Sequence, residues 1–307
     1  MNLYLLSVLL GIVEGLTEFL PVSSTAHLRI AEALMKLPMS ESSCAVGNAV
    51  CLQDVAFWKM YTVVIQVGAI LALMILFLGR IVGMLRNFPK GESGDRNFFN
   101  HPVTMTMVAF VCTSIPALAL HKWSEKNLGS LMVIALALLI GGVVMWVVDI
   151  WAARRDDPPT KTVEQMNLGQ AVWIGLCQTC SAIFPGTSRS MSTIAAAQLV
   201  GMSRPAALEF SFLLSIPTML AATVWDLLKE IRPHHAEGVA AATAQVVMNG
   251  ERWGVLVIGL VISFVVAFGV VEWFLFWVRK HGFTIFAIYR ILLGIALMIW
   301  GARFVGN

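Results

Sequence analysis

The sequence has few charged residues. Asp, Glu, Lys and Arg make up 13% of its 307 residues, whereas soluble domains carry about 25%. This composition excludes an ordinary water-soluble enzyme. The net charge is only +3 and the basic residues are scattered, so no nucleic-acid partner is expected, because a nucleic-acid-binding protein concentrates its basic residues in a patch or stripe.

The first residues lack the basic segment that opens a signal peptide. Their apolar stretch also carries two carboxylates, Glu14 and Glu18, which a signal peptide would not contain. We therefore expect no cleavage at this end.

Cysteine is scarce, with five in the chain. Cys112, Cys177 and Cys180 lie in apolar segments and are interpreted as packing residues. Cys44 and Cys51 share one polar loop. A disulfide between them fits an oxidising compartment, and two free thiols fit their positions as well.

Apolar residues are abundant, since 58% of the chain is hydrophobic and the mean hydropathy is +0.79. Several apolar runs reach the roughly 20 residues that a helix needs to cross a bilayer. These runs are 57–79, 103–121, 129–151, 207–228, 254–278 and 283–304. The sequence predicts an all-α polytopic membrane protein with six transmembrane helices.

Two stretches outside these runs resemble each other, "EGLTEFLPVSSTAH" (14–27) and "GLCQTCSAIFPGTSRSM" (175–191). The alignment matches Gly11 with Gly175, Glu14 with Gln178, Pro21 with Pro185, Ser23 with Thr187 and Ser24 with Ser188. Agreement of both residues and order indicates an internal duplication. We interpret residues 1–307 as a single integral membrane domain with one repeat over about 1–151 and another over about 168–307.

Each matched stretch predicts two short helices around a break that contains proline. The unit is too short for two full spans, which need roughly 40 apolar residues, so we predict a re-entrant helix hairpin. Irregular backbone at membrane depth must be buried in protein or line a wet cavity. Because three spans follow each hairpin, the repeats are predicted to be inverted, with their tips approaching from opposite sides. A small excess of basic residues in the loops opposite the termini places the termini outside.

Glu14 and Glu18 are four residues apart and therefore share one face of the first short helix. Ionisable groups at membrane depth are costly and mark a functional site by default; the alternative is a carboxylate that reaches the interface or pairs with a basic residue. Two carboxylates suit a divalent cation such as Mg²⁺ or Ca²⁺, or one of them serves as a general base.

Hydroxyl groups follow both breaks, where a second short helix begins. Serine and threonine at such positions cap helices, and for Ser23 capping is the preferred interpretation. A helix N-terminus also attracts anions, and an arginine between the hydroxyls would help to bind a diphosphate. The candidate anion-binding residues are Ser23, Ser24 and Thr25 in the first copy and Thr187, Ser188, Arg189 and Ser190 in the second. The alternative for Arg189 is a structural ion pair with Glu14 or Glu18.

Two more polar residues lie in apolar surroundings. His27 follows Ser24 by one helical turn and is a candidate acid, base or phosphate acceptor, although a lone histidine is more often a packing residue. Arg290 lies inside an apolar span. It either reaches the polar tips or pairs with Glu272 or Glu209.

A basic, hydroxyl-rich pocket with carboxylates inside a membrane suits a lipid with a phosphate head. The chain resembles the bacterial undecaprenyl-pyrophosphate phosphatase family, the membrane family associated with bacitracin resistance, over most of its length. The motifs that carry the resemblance are "EGLTEFLPVSSTAH", "FPGTSRSMST", "EFSFLLSIP" and "FAIYRILLG". The resemblance implies hydrolysis of undecaprenyl diphosphate to undecaprenyl phosphate, which recycles the lipid carrier of peptidoglycan synthesis.

The resemblance also implies a divalent cation, a multi-pass location in the inner membrane and an active site that opens to the outer, periplasmic face. A homodimer is left open. The residues that match the family's functional positions are Glu14, Glu18, Ser23, Ser24, His27, Ser188, Arg189, Ser190, Thr193 and Arg290. The chain departs from the family pattern in two places. Ala26 stands where the family usually has glycine, and Met191 and Ser192 stand where it usually has Gly-Ala; Met191 is bulky enough to narrow the pocket.

Our mechanistic hypothesis has Ser24 attack the terminal phosphorus, activated by Glu18 or His27, while Arg189 and the helix N-termini stabilise the phosphoryl oxygens. The rival assignment makes His27 the nucleophile and Ser24 a ligand. A different class of function is a transporter or flippase for a phosphorylated polyprenyl lipid, because inverted repeats with broken helices are also the plan of secondary transporters. A carrier needs an anion site but neither nucleophile nor base, so Ser24 beside Glu18 and His27 favours the enzyme.

Overall fold

The protein is described here from a computed structural model that covers residues 2–38, 49–91, 94, 96–120, 130–155, 157–231 and 248–304. Over these residues the regular secondary structure is helical, apart from one isolated parallel bridge between Thr160 and Met202. The helices are α1 Leu3–Thr17, α2 Ser24–Leu34, α3 Ala49–Leu76, α4 Leu78–Arg86, α5 Pro102–Ala119, α6 Leu131–Ala153, α7 Leu168–Ile183, α8 Arg189–Leu199, α9 Arg204–Ile231, α10 Gly250–Lys280 and α11 Thr284–Phe304. A short 3₁₀ turn, Val163–Gln165, precedes α7.

Within the described part of the chain, five stretches are long and apolar enough to cross a membrane: Gln53–Leu76, Pro102–Ala119, Leu131–Ala153, Arg204–Asp226 and Gly250–Lys280. Five of the six predicted spans thus meet the length requirement. For the sixth, the apolar stretch Thr284–Trp300 is shorter, although the whole of α11 has 21 residues and measures about 30 Å at 1.5 Å per residue. The all-α polytopic membrane fold is confirmed.

Both predicted helix–break–helix units are present. In the first, α1 ends at Thr17 and α2 begins at Ser24; in the second, α7 ends at Ile183 and α8 begins at Arg189. The four helices have 15, 11, 16 and 11 residues, so each is shorter than a membrane span. Their re-entrant and inverted placement in a bilayer stays a prediction.

The chain divides into two compact units that do not follow the repeat boundary. The first unit comprises Met1–Leu16, His27–Ala72 and Met219–Val270, and the second comprises Thr17–Ala26, Leu73–Thr218 and Val271–Asn307. Each unit therefore takes segments from both repeats. The prediction of a single domain stays a prediction.

The first unit has a core in which polar groups are satisfied locally. Phe57, Trp58 and Tyr61 form an aromatic cluster among buried aliphatic side chains. The Tyr61 hydroxyl donates to the Ser7 carbonyl oxygen at 2.8 Å, and the Ser7 hydroxyl donates to the Val255 carbonyl oxygen at 2.7 Å. These bonds tie three helices together at the polar edge of an apolar core.

The second unit is held together by close helix contacts and by one buried carboxylate. α6 packs along α11, α7 packs against α5, and α8 packs on α6 and α7. Asp149, which is 1% exposed near the end of α6, accepts hydrogen bonds at the ends of three other helices. Its donors are Arg204 Nε at 2.8 Å, Phe283 N at 2.9 Å, Thr284 Oγ1 at 3.1 Å and Gln198 Nε2 at 3.3 Å.

The cysteines divide into bonded and free residues. Cys51 is disulfide-bonded, and Cys44 lies outside the described residues. Cys112 and Cys177 are free and half-buried, as packing residues would be, whereas the free Cys180 is exposed.

Candidate active site

The two breaks share an uncommon backbone feature. Ser23 has φ 75° and Ser188 has φ 70°, a region that costs a residue with a side chain about 1–3 kcal/mol. Each serine also caps the helix that follows it. The Ser23 hydroxyl accepts from Ala26 N at 3.4 Å, and the Ser188 hydroxyl accepts from Met191 N at 3.3 Å. The capping interpretation of Ser23 agrees with this geometry.

The structure corrects the register of the repeat at this point. Ser188 is equivalent to Ser23, whereas the sequence alignment had placed it against Ser24. The stretch from Gly175 to Ser188 in the second copy is one residue longer than the stretch from Gly11 to Ser23 in the first. An ungapped alignment cannot show this difference. Ser24 therefore corresponds to Arg189, and each is the first residue of its helix.

Ser24 and Arg189 converge on the carboxylate of Glu18. The Ser24 hydroxyl donates to Glu18 Oε2 at 2.5 Å, and Arg189 Nη2 donates to Glu18 Oε1 at 3.0 Å. Glu18 is 9% exposed, so these charge-assisted bonds lie in a largely desolvated place, where they are strong. A hydroxyl held on a carboxylate is poised to lose its proton to that carboxylate.

Arg189 is therefore in the ion pair that the sequence suggested as an alternative role. Its Nη1 also donates to the Ser215 carbonyl oxygen at 3.4 Å, and its guanidinium lies 5.9 Å from the centre of the Phe19 ring. The side chain retains 15% exposure. The Arg189 side chain is therefore not completely closed off from solvent.

Two of the predicted binding hydroxyls join α8 to its neighbours. The Ser190 hydroxyl donates to the Leu20 carbonyl oxygen at 3.0 Å, which attaches α8 to the first break. Thr193 Oγ1 and Ser211 Oγ are 2.6 Å apart, which attaches α8 to α9. Both Ser190 and Thr193 are 1% exposed, so in this conformation they position the breaks.

Arg290 donates hydrogen bonds to backbone carbonyls of both breaks. It is fully buried, and Nη1 donates to the Pro21 carbonyl oxygen at 3.2 Å. Nη2 donates to the carbonyl oxygens of Thr187 at 2.9 Å, Gly186 at 3.1 Å and Ala137 at 3.2 Å. Glu209, one of its predicted partners, pairs instead with Arg80 at 2.8 Å.

These four hydrogen bonds of Arg290 all lead to backbone carbonyls, which compensate a buried positive charge only in part. Its positive charge therefore favours an anion at the breaks, while its side chain acts as a positioning group. Direct contact with substrate stays a prediction.

The remaining predicted residues of the first motif are Glu14, Thr25 and His27. Glu14 is 1% exposed, one helical turn before Glu18 in the chain, and Thr25 and His27 are half-buried in α2. Glu14 and His27 fall in the first unit and Glu18 and Ser24 in the second.

Among the described residues no group of three or more His, Cys, Asp or Glu side chains is arranged to hold a metal ion. A pair of carboxylates still fits Mg²⁺ or Ca²⁺, because these ions take oxygen ligands and Mg²⁺ commonly uses one or two carboxylates with water and substrate phosphate. Glu14 and Glu18, the predicted ligands, are both largely buried, and their pairing on an ion stays a prediction.

The comparison with known proteins decides the family. The family described as bacitracin resistance protein BacA matches residues 7–296. The chain belongs to this family. An undecaprenyl-diphosphatase of Koribacter versatilis is 53% identical over 303 residues, covering 99% of this chain and 100% of that protein. Proteins with the same name from Caldanaerobacter subterraneus and Rhizobium etli are 36% and 38% identical, over 97% and 96% of this chain and 96% of each of those proteins. The resemblance noted from the motifs is confirmed.

The three residues that the resemblance marks as departures, Ala26, Met191 and Ser192, are all buried. The Ala26 methyl is fully buried and packs with Ile134 and Leu138, so the fold accommodates alanine at this position. Met191 is 4% exposed and lines a cavity beside the second break. A Cβ built on Gly141 would lie 2.7 Å from Met191 Cε, which shows how closely the thioether covers that glycine.

The sequence analysis missed the glycines on which Arg290 depends. Gly186 has φ 96°, and a Cβ there would lie 2.7 Å from the Ile134 carbonyl oxygen. A Cβ on Gly141 would lie 2.5 Å from Arg290 Nη2. Gly186 was visible as the residue after proline in the second motif, but nothing around Gly141 in the sequence indicates what packs on it.

Proposed function

We propose that this chain hydrolyses the terminal phosphoanhydride bond of undecaprenyl diphosphate, giving undecaprenyl phosphate and inorganic phosphate. The observation that carries the proposal is the Glu18 carboxylate, which holds the Ser24 hydroxyl on one oxygen and the Arg189 guanidinium on the other. Family membership and the relatives named undecaprenyl-diphosphatase support the choice of substrate. A carrier would need the guanidinium but not a hydroxyl held on a base.

In the proposed reaction Ser24 Oγ attacks the terminal phosphorus while its proton passes to Glu18. The bond to the bridging oxygen breaks, and undecaprenyl phosphate leaves with that oxygen. Glu18 gives that proton to the departing phosphate group and is a carboxylate again. Water then attacks the phosphorus of the phosphoserine while Glu18 takes a proton from the water. The bond between Ser24 Oγ and phosphorus breaks, Glu18 returns the proton to Oγ, and inorganic phosphate is released. This is nucleophilic catalysis in two steps, with one residue serving as base in each.

Arg189 has two successive partners in this scheme. Without substrate it binds Glu18 Oε1. A terminal phosphate that draws the guanidinium away leaves Glu18 with only the Ser24 hydroxyl, and the charge that develops on the phosphoryl oxygens is then stabilised by Arg189. The N-termini of α2 and α8 add their dipoles to the same region, so catalysis depends mainly on positioning and charge.

His27 provides the rival assignment, in which it accepts the phosphoryl group and Ser24 binds an oxygen. A denaturing quench after brief incubation with substrate labelled in the terminal phosphate separates the two. Phosphoserine is stable in acid, whereas phosphohistidine is stable in alkali. Acid-stable label on Ser24 supports our assignment, and alkali-stable, acid-labile label on His27 would overturn it.

Glu14 and Glu18 are the residues that would hold a divalent cation. Such an ion would neutralise charge on the diphosphate. We propose Mg²⁺ or Ca²⁺ because both oxygen donors are hard carboxylates. We further propose that the protein lies in the bacterial inner membrane with its breaks open to the outer face.

The decisive experiment measures phosphate release from undecaprenyl diphosphate by the detergent-purified protein. Wild type is compared with Ser24→Ala, Arg189→Ala and a control, Ser181→Ala, whose hydroxyl donates only to the Gln178 carbonyl oxygen of its own helix. We expect release by wild type and the control and a loss of about 10³-fold in Ser24→Ala. Equal rates in Ser24→Ala and wild type would refute the proposed nucleophile. No release by any folded form would refute the phosphatase.

A further inference from the structure

A cavity of about 550 Å³ lies within the second unit between α6, α7 and α8. Its size falls within the range of about 300–1,000 Å³ that is usual for small-molecule sites. Nearly all of its lining side chains are apolar, and the two with hydroxyls, Thr187 and Ser192, lie together at the start of α8. The proposed catalytic steps do not use this cavity.

One end of the cavity adjoins the second break. Thr187 and Ala137 line the cavity, and their carbonyl oxygens accept from Arg290 Nη2 at 2.9 and 3.2 Å. Gly141 and Met191 also line it. Gly141 lies directly against the side chains of both Met191 and Arg290. A ligand whose phosphate is held at the breaks thus has an apolar cavity beginning beside its headgroup.

The rest of the cavity is an open groove with a floor of small residues. Ala195 and Ala196 are 4% and 2% exposed and form the floor, where larger side chains would fill the space. Ile140, Val144 and Leu199 stand at its edges with 58%, 42% and 40% exposure. Since α6 has the length and composition of a membrane span, we expect its two edge residues, Ile140 and Val144, to face hydrocarbon rather than water.

We propose that this groove, the α6–α8 groove, binds the first isoprene units of the substrate's hydrocarbon chain. The inference rests on the proposed function for its ligand. Bilayer lipid supplies no hydrophobic drive for a chain to leave the bilayer, so selection must come from packing and from tethering. A chain held by its phosphates beside Thr187 has a high effective concentration at the groove. Its methyl branches fill a wide groove with more contacts than a linear acyl chain makes.

Photolabelling tests this assignment without requiring turnover. The probe is a polyprenyl monophosphate that carries a benzophenone two isoprene units from the phosphate. We expect label on peptides containing 177–184 or 195–199, and we expect undecaprenyl phosphate to compete at least tenfold better than phosphatidylglycerol. Label confined to other helices, or equal competition by phosphatidylglycerol, would overturn the proposal, the second result because the groove would then hold ordinary bilayer lipid.

A matched pair of substitutions on α6 tests the same groove by kinetics. Val144→Phe fills the groove, whereas Val147→Phe adds the same bulk at a 60% exposed position that does not line it. Substrates are isopentenyl, geranyl and farnesyl diphosphate, which share one head and differ in chain length. For wild type and Val147→Phe we expect KM to fall with each added unit. For Val144→Phe we expect that fall to shrink at least fivefold.

Leu199→Trp, from the opposite edge, provides a second variant if Val144→Phe does not fold. An unchanged chain-length dependence in both variants would refute the groove. If the wild-type protein releases no phosphate but is photolabelled in the groove, the phosphatase proposal is refuted and the groove remains a polyprenyl-phosphate site. The two failures are therefore distinguishable.

Discussion

Ser24 and Arg189 occupy equivalent first positions of two repeat-related helices and bind opposite oxygens of one carboxylate, Glu18. The predicted duplication thus places a hydroxyl in one copy and a guanidinium in the other. The arrangement brings together the candidate nucleophile Ser24, its candidate base Glu18 and the guanidinium of Arg189, which is proposed to bind phosphate.

If Glu18 acts through Ser24, the two residues must be energetically coupled. Glu18→Gln and Ser24→Ala should each lower kcat by about 10²–10⁴-fold. The kcat of the double variant should be at most about threefold below that of the less active single variant. Phosphate release under saturating substrate measures this. Losses that multiply would show that Glu18 and Ser24 act independently.

The strained backbone at Ser23 predicts an unusual order of stabilities. Ser23→Ala loses the cap on Ala26 and keeps the positive φ, so its free energy of unfolding should drop by about 1 kcal/mol. Ser23→Gly loses the same bond but adopts φ 75° without strain, so it should be more stable than Ser23→Ala. Thermal unfolding followed by tryptophan fluorescence gives the order. A glycine variant less stable than the alanine variant would contradict it.

Gly141 limits the space around Arg290. In Gly141→Ala the new methyl would lie 2.5 Å from Arg290 Nη2, and overpacking of this kind costs about 1–3 kcal/mol. Moving Arg290 also releases the carbonyls of both breaks, so we expect kcat to fall with stability. The control is Gly79→Ala, where nothing lies within 4 Å and helix propensity should raise stability slightly. Equal behaviour of the two variants would argue against this role of Arg290.

Asp149 should matter for stability and not for chemistry. Asp149→Asn leaves Arg204 without its counter-charge and should cost about 3 kcal/mol, the lower end for a buried pair because the Arg204 side chain is 30% exposed. The folded fraction should keep the wild-type kcat, since the partners of Asp149 lie outside the breaks. Asp157→Asn is the control, because its pair with Lys161 is exposed and worth at most about 1 kcal/mol. A kcat lowered tenfold in Asp149→Asn would show a role in the site.

The proposed cation gives a prediction that depends on Glu14. Removing divalent ions with a chelator should abolish phosphate release, and Mg²⁺ or Ca²⁺ should restore it. In Glu14→Gln one of the two carboxylates is lost, so the concentration of ion that gives half-maximal activity should rise at least tenfold. Full activity in the chelator would refute the cation, and an unchanged ion requirement in Glu14→Gln would remove Glu14 as a ligand.

Much of this protein was readable from the order of its residues. Long apolar runs predict membrane spans because each helix must satisfy its own backbone in lipid, and five of the runs have the predicted form. Proline and hydroxyls within apolar sequence predict the two breaks. Carboxylates and an arginine in such surroundings identify the candidate site, since burial of charge without a purpose is costly.

The tertiary structure decided which of these groups meet. An ungapped comparison placed Ser188 against Ser24, and only the backbone torsions and caps show that Ser188 matches Ser23 and Arg189 matches Ser24. Likewise the sequence left open whether Arg290 reaches the tips or pairs with a carboxylate, and the structure shows it bound to backbone carbonyls of both breaks. Local propensity and periodicity act over a few residues, whereas these contacts join segments more than a hundred positions apart, and their selection depends on how whole helices pack.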